Sequence, residues 1–415
     1  MIRATRTQWI KFAVVLALYL IFLVWLRSWL GLVVVPFIFD AYITKKIPWT
    51  WWRESKNRHV VTVMGWVDAI VFALVAVYFV NLYFFQNYVI PSSSLEKSLL
   101  TGDYLFVSKM SYGPRVPQTP LHMPLAQHTL PFFNCKSYLE HPQWDYKRVK
   151  GLGDVQLNDI VVFNFPAGDT VATGVPNDDI YRLSYGAGKE LAKPVDLASM
   201  TPEQQRVVYD YYYQLGREYL KENPQNFGEI ISRPVDRREN YVKRCVGLPG
   251  QTLEIKDRII YLDGKANKEP DNVQYRYLVK TKRPIPDDLA HELGISKEDM
   301  MMYYTDASVY NMPLTEKAKA GLLARKDIVV SIENTPADDA GGLYPLNMYK
   351  NWTTDNYGPV WIPKKGETVK LTIENLPVYE RPIHVYEGNE LAVKDGKIYI
   401  NGKETDEYTF KMDYY

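Results

Sequence analysis

The chain has 415 residues, enough for a membrane part and one or two globular domains. Its 49 basic and 48 acidic residues give a formal net charge of +1, which indicates neither a nucleic-acid partner nor an acidic substrate. The 2 cysteines, Cys135 and Cys245, exclude a disulfide-dense scaffold and a multi-cysteine zinc site. They could form one disulfide, but we favour two buried, unpaired thiols.

Three apolar runs near the N-terminus predict segments that enter a membrane. They cover residues 10–26, residues 29 to about 44, and residues 67–85, and each is near the roughly 20 residues that a spanning helix needs. A re-entrant hairpin formed by the first two runs is one alternative. A cleavable signal peptide is a less favoured one, because a second run follows the first at once.

Basic residues predict the orientation of these segments. Only Arg27 lies between the first two runs. The other basic residues lie before the first run, at its start, or in the loop before the third: Arg3, Arg6, Lys11, Lys45, Lys46, Arg53, Lys56 and Arg58. The positive-inside rule then places the N-terminus inside and everything after residue 88 outside. We therefore expect a multi-pass protein of the cytoplasmic (inner) membrane, in contact with lipid, whose soluble part is extracytoplasmic.

The sequence beyond residue 88 is predicted to be mainly β. Candidate strands cover residues 104–108, 159–165, 240–246, 252–255, 258–262 and 397–400. Asp263-Gly264 and Asn401-Gly402 predict tight hairpins, because both residue pairs favour the positive φ angles of a two-residue turn. Residues 255–265 also resemble residues 393–403, which indicates either a duplication or two similar hairpins.

Beyond residue 88, helices are predicted only within two long segments that interrupt the β pattern, residues 167–235 and 266–390. The first segment has a capping signature at Thr201, with Pro202 and Gln204 behind it and apolar residues at helical spacing up to residue 219. Shorter helices are predicted at residues 286–293 and 315–325. The many tyrosines of both segments could form a partner surface, although core packing is the favoured interpretation.

Candidate chemistry lies in a serine-rich turn directly after the third apolar run and in a distant lysine. Ser92, Ser93 and Ser94 follow Pro91, and Lys243 interrupts an apolar, strand-like segment. The turn by itself is equally typical of a polar helix end. A serine nucleophile needs a base, and the histidines fit no nucleophile or metal motif: His59, His122, His128, His141, His291 and His384.

A lysine can act as that base only if its pKa is lowered. At the usual pKa of about 10.4, only about one lysine in 2500 is neutral at pH 7. Burial among apolar residues lowers the pKa because it disfavours the charged form. Val242, Cys245 and Val246 surround Lys243 in the sequence and are consistent with such an environment.

Four motifs in this order resemble those of type I signal peptidase, also called leader peptidase. They are Pro-Ser-x-Ser at residues 91–94, Gly-Asp at 102–103, Asn-Asp-Ile-Val-Val-Phe at 158–163, and Tyr-Val-Lys-Arg-Cys-Val-Gly-Leu-Pro-Gly at 241–250. The resemblance implies a membrane-anchored, mainly β fold, with N-terminal transmembrane helices followed by a β-rich catalytic domain carrying α/β insertions. It also implies a serine endopeptidase that cleaves signal peptides from exported preproteins after Ala-x-Ala. A metal or organic cofactor is not expected, because the sequence contains no ligand cluster.

The resemblance assigns roles to individual residues. It implies Ser94 as the nucleophile, Lys243 as the general base, and the Ser94 N–H with the Ser92 hydroxyl as the oxyanion hole. It further implies a surface for small substrate side chains, although the same residues could simply be core: Tyr88, Ile90, Leu99, Tyr241 and Val242. Arg244 is expected on the opposite face of its strand, in a structural ion pair.

The predicted organisation follows from these assignments. Residues 1–64 form two spans or a hairpin with a basic cytoplasmic loop, and residues 65–88 form the third transmembrane helix. The catalytic β core is assigned to residues 89–166 and 236–265. The remaining segments are an insertion with a helix, a second insertion and C-terminal hairpin strands, at residues 167–235, 266–390 and 391–415.

Two departures from the family pattern leave other functions open. Ser93 replaces a usual glycine, and the family's last box, Gly-Asp-Asn-x-x-x-Ser-x-Asp-Ser-Arg, is not found. Residues 354–363 resemble the end of that box but lack its serine and arginine, so they are assigned to the insertion. Either the chain is truncated or its site is completed differently. The alternatives are a catalytically impaired, membrane-anchored binding or assembly protein, and a serine–lysine protease that cleaves another target, such as itself.

Overall fold

The computed structural model describes residues 4–130, 132–133, 135–175, 179–301, 304–306, 308–336, 343–347 and 352–415. Arg3, one of the residues used to predict orientation, and short parts of both predicted insertions lie outside this range. The chain forms two compact units. Unit 1 comprises residues 1–89, 104–155 and 234–240, and unit 2 comprises residues 90–103, 156–233 and 241–415. The serine-rich turn and Lys243 therefore belong to the same unit.

Two helices of unit 1 are long and apolar enough to cross a membrane, α1 (Arg6–Leu26) and α3 (Arg58–Tyr83). Their 21 and 26 residues correspond to about 32 and 39 Å, against a hydrocarbon core of about 30 Å. A reciprocal capping box at Thr5 and Gln8 fixes the start of α1. Helix α3 begins at Arg58, within the predicted basic loop, and ends before the predicted boundary at residue 88.

The second predicted span is too short to cross a membrane as one helix. Its apolar part, Leu30–Thr44, is broken into a 3₁₀ turn, helix α2 (Val35–Phe39) and a π turn. Its length is about 22 Å at the α-helical rise per residue. The Asp40 carboxylate accepts hydrogen bonds from the backbone N–H groups of Lys46 and Ile47 and so ends the segment. A full span and a hairpin with the first run both stay predictions for this segment.

Four short strands complete unit 1: β1 (Phe85–Val89), β2 (Tyr104–Ser108), β3 (Arg115–Val116) and β4 (Lys147–Arg148). Strand β1 pairs antiparallel with β2, so that Val89 lies opposite Tyr104. The chain therefore passes from α3 into a strand rather than continuing as helix to residue 88. The apolar core contains Leu26, Tyr83 and Val149.

Unit 2 contains the remaining helices and strands that the structure describes. Its helices are α4 (Ile180–Leu191), α5 (Pro202–Glu222), α6 (Pro224–Phe227), α7 (Asp287–Glu292), α8 (Lys297–Met301), α9 (Glu316–Ala324) and α10 (Leu376–Arg381). Its strands are β5 (Ile160–Asn164), β6 (Thr170–Ala172), β7 (Ile230–Ser232), β8 (Asn240–Arg244), β9 (Thr252–Lys256), β10 (Ile259–Leu262), β11 (Lys265–Ala266), β12 (Gln274–Thr281), β13 (Tyr304–Asp306), β14 (Val309–Thr315), β15 (Val329–Asn334), β16 (Tyr357–Trp361), β17 (Thr368–Lys370), β18 (Leu391–Lys394), β19 (Lys397–Ile400), β20 (Lys403–Glu404) and β21 (Glu407–Thr409).

Both predicted tight hairpins are confirmed. Asp263 and Gly264 have φ angles of 50° and 77° and join β10 to β11, while Asn401 and Gly402 have φ angles of 51° and 77° and join β19 to β20. Positive φ at both positions matches the twist of the flanking strands. The two similar sequences, 255–265 and 393–403, lie in matching antiparallel meanders, β9-β10-β11 and β18-β19-β20.

The structure differs from the sequence prediction at residues 354–363, which were assigned to the second insertion. Strand β16 pairs antiparallel with β9 and extends the sheet that contains β10 and β11. The side chains of Arg258 and Asp355 form a largely buried ion pair with an Nε–Oδ2 distance of 2.9 Å next to this junction. The segment therefore belongs to the same sheet as the predicted core strands.

The rest of the second insertion has its own sheet, in the order β13-β14-β12-β15, and its own apolar core. Along β12, Tyr277, Val279 and Thr281 are buried, whereas Arg276 and Lys280 are exposed. This alternation leaves one face of the sheet packed against helices α7 and α9 and the other face polar.

The first insertion is a helical hairpin in which α4 packs against α5. The capping box predicted at Thr201 and Gln204 is confirmed. Helix α4 was not predicted, because Gly186 and Gly188 weaken its helix propensity. Gly188 allows the backbones of α4 and α5 to approach closely, because a Cβ atom at this position would lie 1.7 Å from the Tyr212 carbonyl oxygen.

We predict opposite effects for alanine at these two glycines of α4. Gly188→Ala should destabilise the protein by roughly 1–3 kcal/mol, because the added methyl group meets the backbone of α5. Gly186→Ala is the matched control, since a Cβ there has open space, and it should stabilise the helix by up to about 1 kcal/mol. Thermal unfolding of the full chain in detergent measures both, and equal midpoints for the two variants would contradict this packing.

Candidate active site

The serine-rich turn is carried by a loop, residues 90–103, that is closed at its base. The Ile90 N–H donates to the Asp103 carbonyl at 3.0 Å, and the Gly102 N–H donates to the Ile90 carbonyl at 2.9 Å. Gly102 has a φ angle of 93°, which residues with a Cβ rarely adopt. The Asp103 carboxylate accepts a further bond from the Leu100 N–H at 2.8 Å. The Gly-Asp motif thus closes the loop that presents the serines.

Within this loop, Ser94 lies in the middle of a short 3₁₀ turn, Ser93–Leu95. Ser92 precedes the turn with extended backbone angles, and the Leu99 N–H donates to the Leu95 carbonyl at 2.8 Å behind it. All three serines are exposed. The turn therefore presents the Ser94 hydroxyl to an approaching molecule.

Lys243 lies in β8, which pairs with β5. Because successive side chains of a strand point to opposite faces, Lys243 lies on one face of β8 and its neighbours Val242 and Arg244 lie on the other. Its Nζ atom lies 2.5 Å from the Ser94 Oγ atom, a hydrogen-bond distance, although 149 positions separate the two residues in sequence. The fold thus brings together the two residues that the sequence motifs singled out.

Partial desolvation lowers the pKa of the Lys243 amine below its usual value. The side chain as a whole is exposed, so the effect comes from the partly covered surroundings of the amine. The direction favours the neutral amine, because removing water penalises the ammonium form. A neutral amine beside a serine hydroxyl can accept the hydroxyl proton.

Arg244 connects the serine loop to the turn that precedes β5. Its Nη2 atom donates to the Ser98 Oγ atom at 3.0 Å, and its Nη1 atom donates to the Asn158 carbonyl at 2.8 Å. The structural ion pair predicted for Arg244 is wrong for the described residues, because both acceptors are neutral. Sequence reasoning missed Ser98, four residues after Ser94.

The remaining predicted site residues occupy several environments. Ile90 is buried, Leu99 and Val242 are half-buried, and the Tyr241 ring stacks on Phe165 at 4.5 Å between ring centroids. Tyr88, the fifth residue predicted to contact substrate side chains, lies in β1 of unit 1 and is half-buried. Ile90 and Tyr241 therefore have structural contacts in addition to any role in binding.

The two cysteines differ from the favoured prediction of two buried thiols. Cys245 is buried, and its Sγ atom donates to the Gly247 carbonyl, but Cys135 is exposed. Both are free thiols. Within the described part of the chain, no group of His, Cys, Asp and Glu side chains is arranged to hold a metal ion.

A serine hydroxyl that contacts a lysine amine is the arrangement expected in a hydrolase that uses lysine as its base. Comparison with known proteins agrees with this class. The chain belongs to the signal peptidase family, since the family model described as "Signal peptidase, peptidase S26" matches residues 63–303, more than half of the chain. Membrane association is a property of the type I signal peptidases in this family.

Individual relatives are similar over unequal lengths. Signal peptidase I P of Bacillus subtilis subsp. natto is 20% identical over 279 residues, which cover 66% of this chain and 90% of that protein. Signal peptidase I of Rickettsia prowazekii is 24% identical over 36% of this chain and 56% of its own length. Signal peptidase I of Helicobacter pylori strain 26695 is 42% identical, but over 14% of this chain and 18% of its own length. No solved structure matches the chain.

We predict that the amine of Lys243 loses its proton at lower pH than that of Lys397. Burial lowers the pKa of Lys243, whereas the carboxylate of Glu404 raises the pKa of Lys397. Isotope-labelled lysine side chains followed by NMR across a pH series measure both, with Lys243→Met and Lys397→Met to assign the signals. The opposite order of the two midpoints would contradict the desolvation of Lys243.

Proposed function

We propose that this chain is a membrane-anchored serine endopeptidase that removes signal peptides from exported preproteins. Ser94 is the nucleophile and Lys243 the general base. The observation that carries the proposal is the 2.5 Å distance between Ser94 Oγ and Lys243 Nζ. Membership of the signal peptidase family supports the substrate class.

The reaction proceeds in two halves. Neutral Lys243 takes the Ser94 proton as Oγ attacks the carbonyl carbon of the scissile peptide bond. When that bond breaks, the lysine ammonium gives its proton to the departing amine, which is the N-terminus of the mature protein. The signal peptide remains as an ester on Ser94. Neutral Lys243 then takes a proton from a water molecule as that water attacks the ester carbonyl, and the lysine ammonium returns a proton to Ser94 Oγ as the signal peptide leaves as a carboxylic acid.

The negative charge that develops on the carbonyl oxygen needs hydrogen-bond donors. We assign this role to the Ser94 N–H and the Ser92 hydroxyl. Neither donates a hydrogen bond to another described residue, and both lie on an exposed turn. Donors that are already in place at such an oxygen are among the largest contributions to catalysis.

Selection of small side chains before the cut is assigned to Ile90, Leu99, Tyr241 and Val242 of unit 2, while the same role for Tyr88 of unit 1 stays a prediction from the sequence. An apolar surface of this kind, half-buried at Leu99, Tyr241 and Val242 and backed by the buried Ile90, accepts alanine and excludes larger side chains by overlap. Helices α1 and α3 are the proposed membrane anchors. The distribution of basic residues supports an extracytoplasmic location for the serine loop.

We predict that Ser94→Ala and Lys243→Met each lower cleavage of a purified preprotein by about a thousandfold or more, because each removes one member of a pair that acts as a unit. Lys243→Arg should be equally inactive, since a guanidinium does not lose its proton at neutral pH. Mass analysis of the products in detergent measures the loss and identifies the cut.

Ser93→Ala is the matched control for these variants, because Ser93 is an equally exposed neighbour without an assigned role. It should retain cleavage after Ala-x-Ala. Full activity in the Ser94→Ala or Lys243→Met variant would remove the basis of the proposal. Cleavage at sites without Ala-x-Ala would indicate a protease with another target.

The pH dependence of cleavage follows from the state of Lys243. The base must be neutral, so the rate should rise with pH through the pKa of Lys243. Because burial lowers this pKa, the midpoint of the rise should lie below the usual lysine value of about 10.4. The kcat/KM of a signal-peptide substrate across a pH series measures the midpoint. A rate that falls over the same range would be incompatible with a lysine base.

A further inference from the structure

A polar cavity of about 360 Å³ opens directly beside Ser94. The serine loop forms one wall, through Ser94, Glu96 and Ser98, and the second insertion forms another. The sequence favoured core packing over a partner surface for this insertion and predicted no contact with the serine loop. Its position against the nucleophile shows that it contributes to the same surface.

The wall from the insertion is the polar face of its sheet. Arg276 on β12 lies directly opposite Pro313 on β14, and both line the cavity. The other face of this sheet is covered by the insertion's own helices, with Tyr277 and Met312 in the core. The alternation along β12 and β14 therefore turns polar side chains towards the cavity.

The insertion is also joined to the serine loop by a direct contact. The Asn272 Nδ2 atom donates to the Lys97 carbonyl at 3.4 Å, and Asn272 itself lines the cavity. Lys97 is three residues from Ser94. The cavity wall is therefore attached to the loop that carries the nucleophile.

The chemistry of the cavity indicates a polar occupant. Beside four apolar residues, Leu95, Pro270, Val273 and Pro313, it is lined by two guanidinium groups, two carboxylates and two amides, those of Arg244, Arg276, Glu96, Asp299, Asn272 and Gln274. Such groups lose hydration when an apolar side chain covers them and regain hydrogen bonds when a polar one does.

We propose that this cavity binds the first residues of the mature protein, the polar segment that follows the cut. None of the five residues assigned to the small side chains before the cut lines it. With the residues before the cut assigned to those five, the cavity that begins at Ser94 is left for the residues after the cut. The second insertion thus supplies specificity on the leaving-group side. This inference rests on the proposed function of the Ser94 site.

The test compares binding of three labelled peptides to the full chain carrying Ser94→Ala, so that none is cut. One peptide ends at Ala-x-Ala, one continues with Ser-Glu-Asn, and one continues with Leu-Val-Leu. Fluorescence anisotropy in detergent gives each affinity. We expect the polar extension to bind about fivefold more tightly than the apolar one, the effect of about one hydrogen bond.

Arg276→Leu, added to this background, should remove most of that difference. Lys280→Leu is the matched control, because Lys280 is exposed on the same strand and does not line the cavity. Its contact with Glu333, 3.4 Å between Nζ and Oε1, is an exposed ion pair of small energetic weight. The control should keep the preference for the polar extension.

The outcomes separate this inference from the proposed function. An equal affinity for both extensions, or a preference that survives Arg276→Leu, or one that is lost equally in Lys280→Leu, would overturn the subsite. Cleavage of the same peptides by the chain with Ser94 intact is measured separately. Tighter binding of the polar extension without cleavage would refute the peptidase but support the binding site. Cleavage with equal affinity for both extensions would support the peptidase but refute the binding site.

Discussion

The contact between Ser94 Oγ and Lys243 Nζ is the constraint on which the site depends, because it joins two residues 149 positions apart. The serine side is fixed by a loop whose base is closed by Gly102 and Asp103. The lysine side is fixed by a paired strand. Arg244 then links the strand to the loop through Ser98. The residues around Ser94 and Lys243 therefore maintain the distance between these two side chains.

The site has to satisfy two opposing requirements. In the proposed reaction, Ser94 must be accessible to a polypeptide substrate, whereas the Lys243 amine must be desolvated enough to lose its proton. The structure shows an exposed serine and an amine whose pKa is lowered by partial burial. A bound peptide would cover the same surface and exclude more water, which favours the neutral amine further. Substrate binding and activation of the base are thus expected to act in the same direction.

Local patterns could be predicted from the sequence, and long-range pairings could not. Asp263-Gly264 dictates its hairpin because both residues accept positive φ, and Thr201 with Gln204 dictates a helix start. Ser94 and Lys243 were predicted from sequence motifs, but the number of residues between the motifs does not reveal the distance between the two side chains. The pairing of β16 with β9 was missed, because about a hundred residues of insertion separate the strands. The neutral partners of Arg244 were also missed, since a backbone carbonyl leaves no signal in the sequence.

The most direct test of the central claim is to identify the residue that carries the substrate during the reaction. The chain would be mixed with a signal-peptide substrate, quenched in acid within one turnover, digested, and mapped by mass spectrometry. The account predicts an ester between the carboxyl end of the signal peptide and Ser94, absent from Lys243→Met. Cleavage that proceeds with the adduct on Ser92 or Ser93, or with adduct formation unaffected by Lys243→Met, would contradict it.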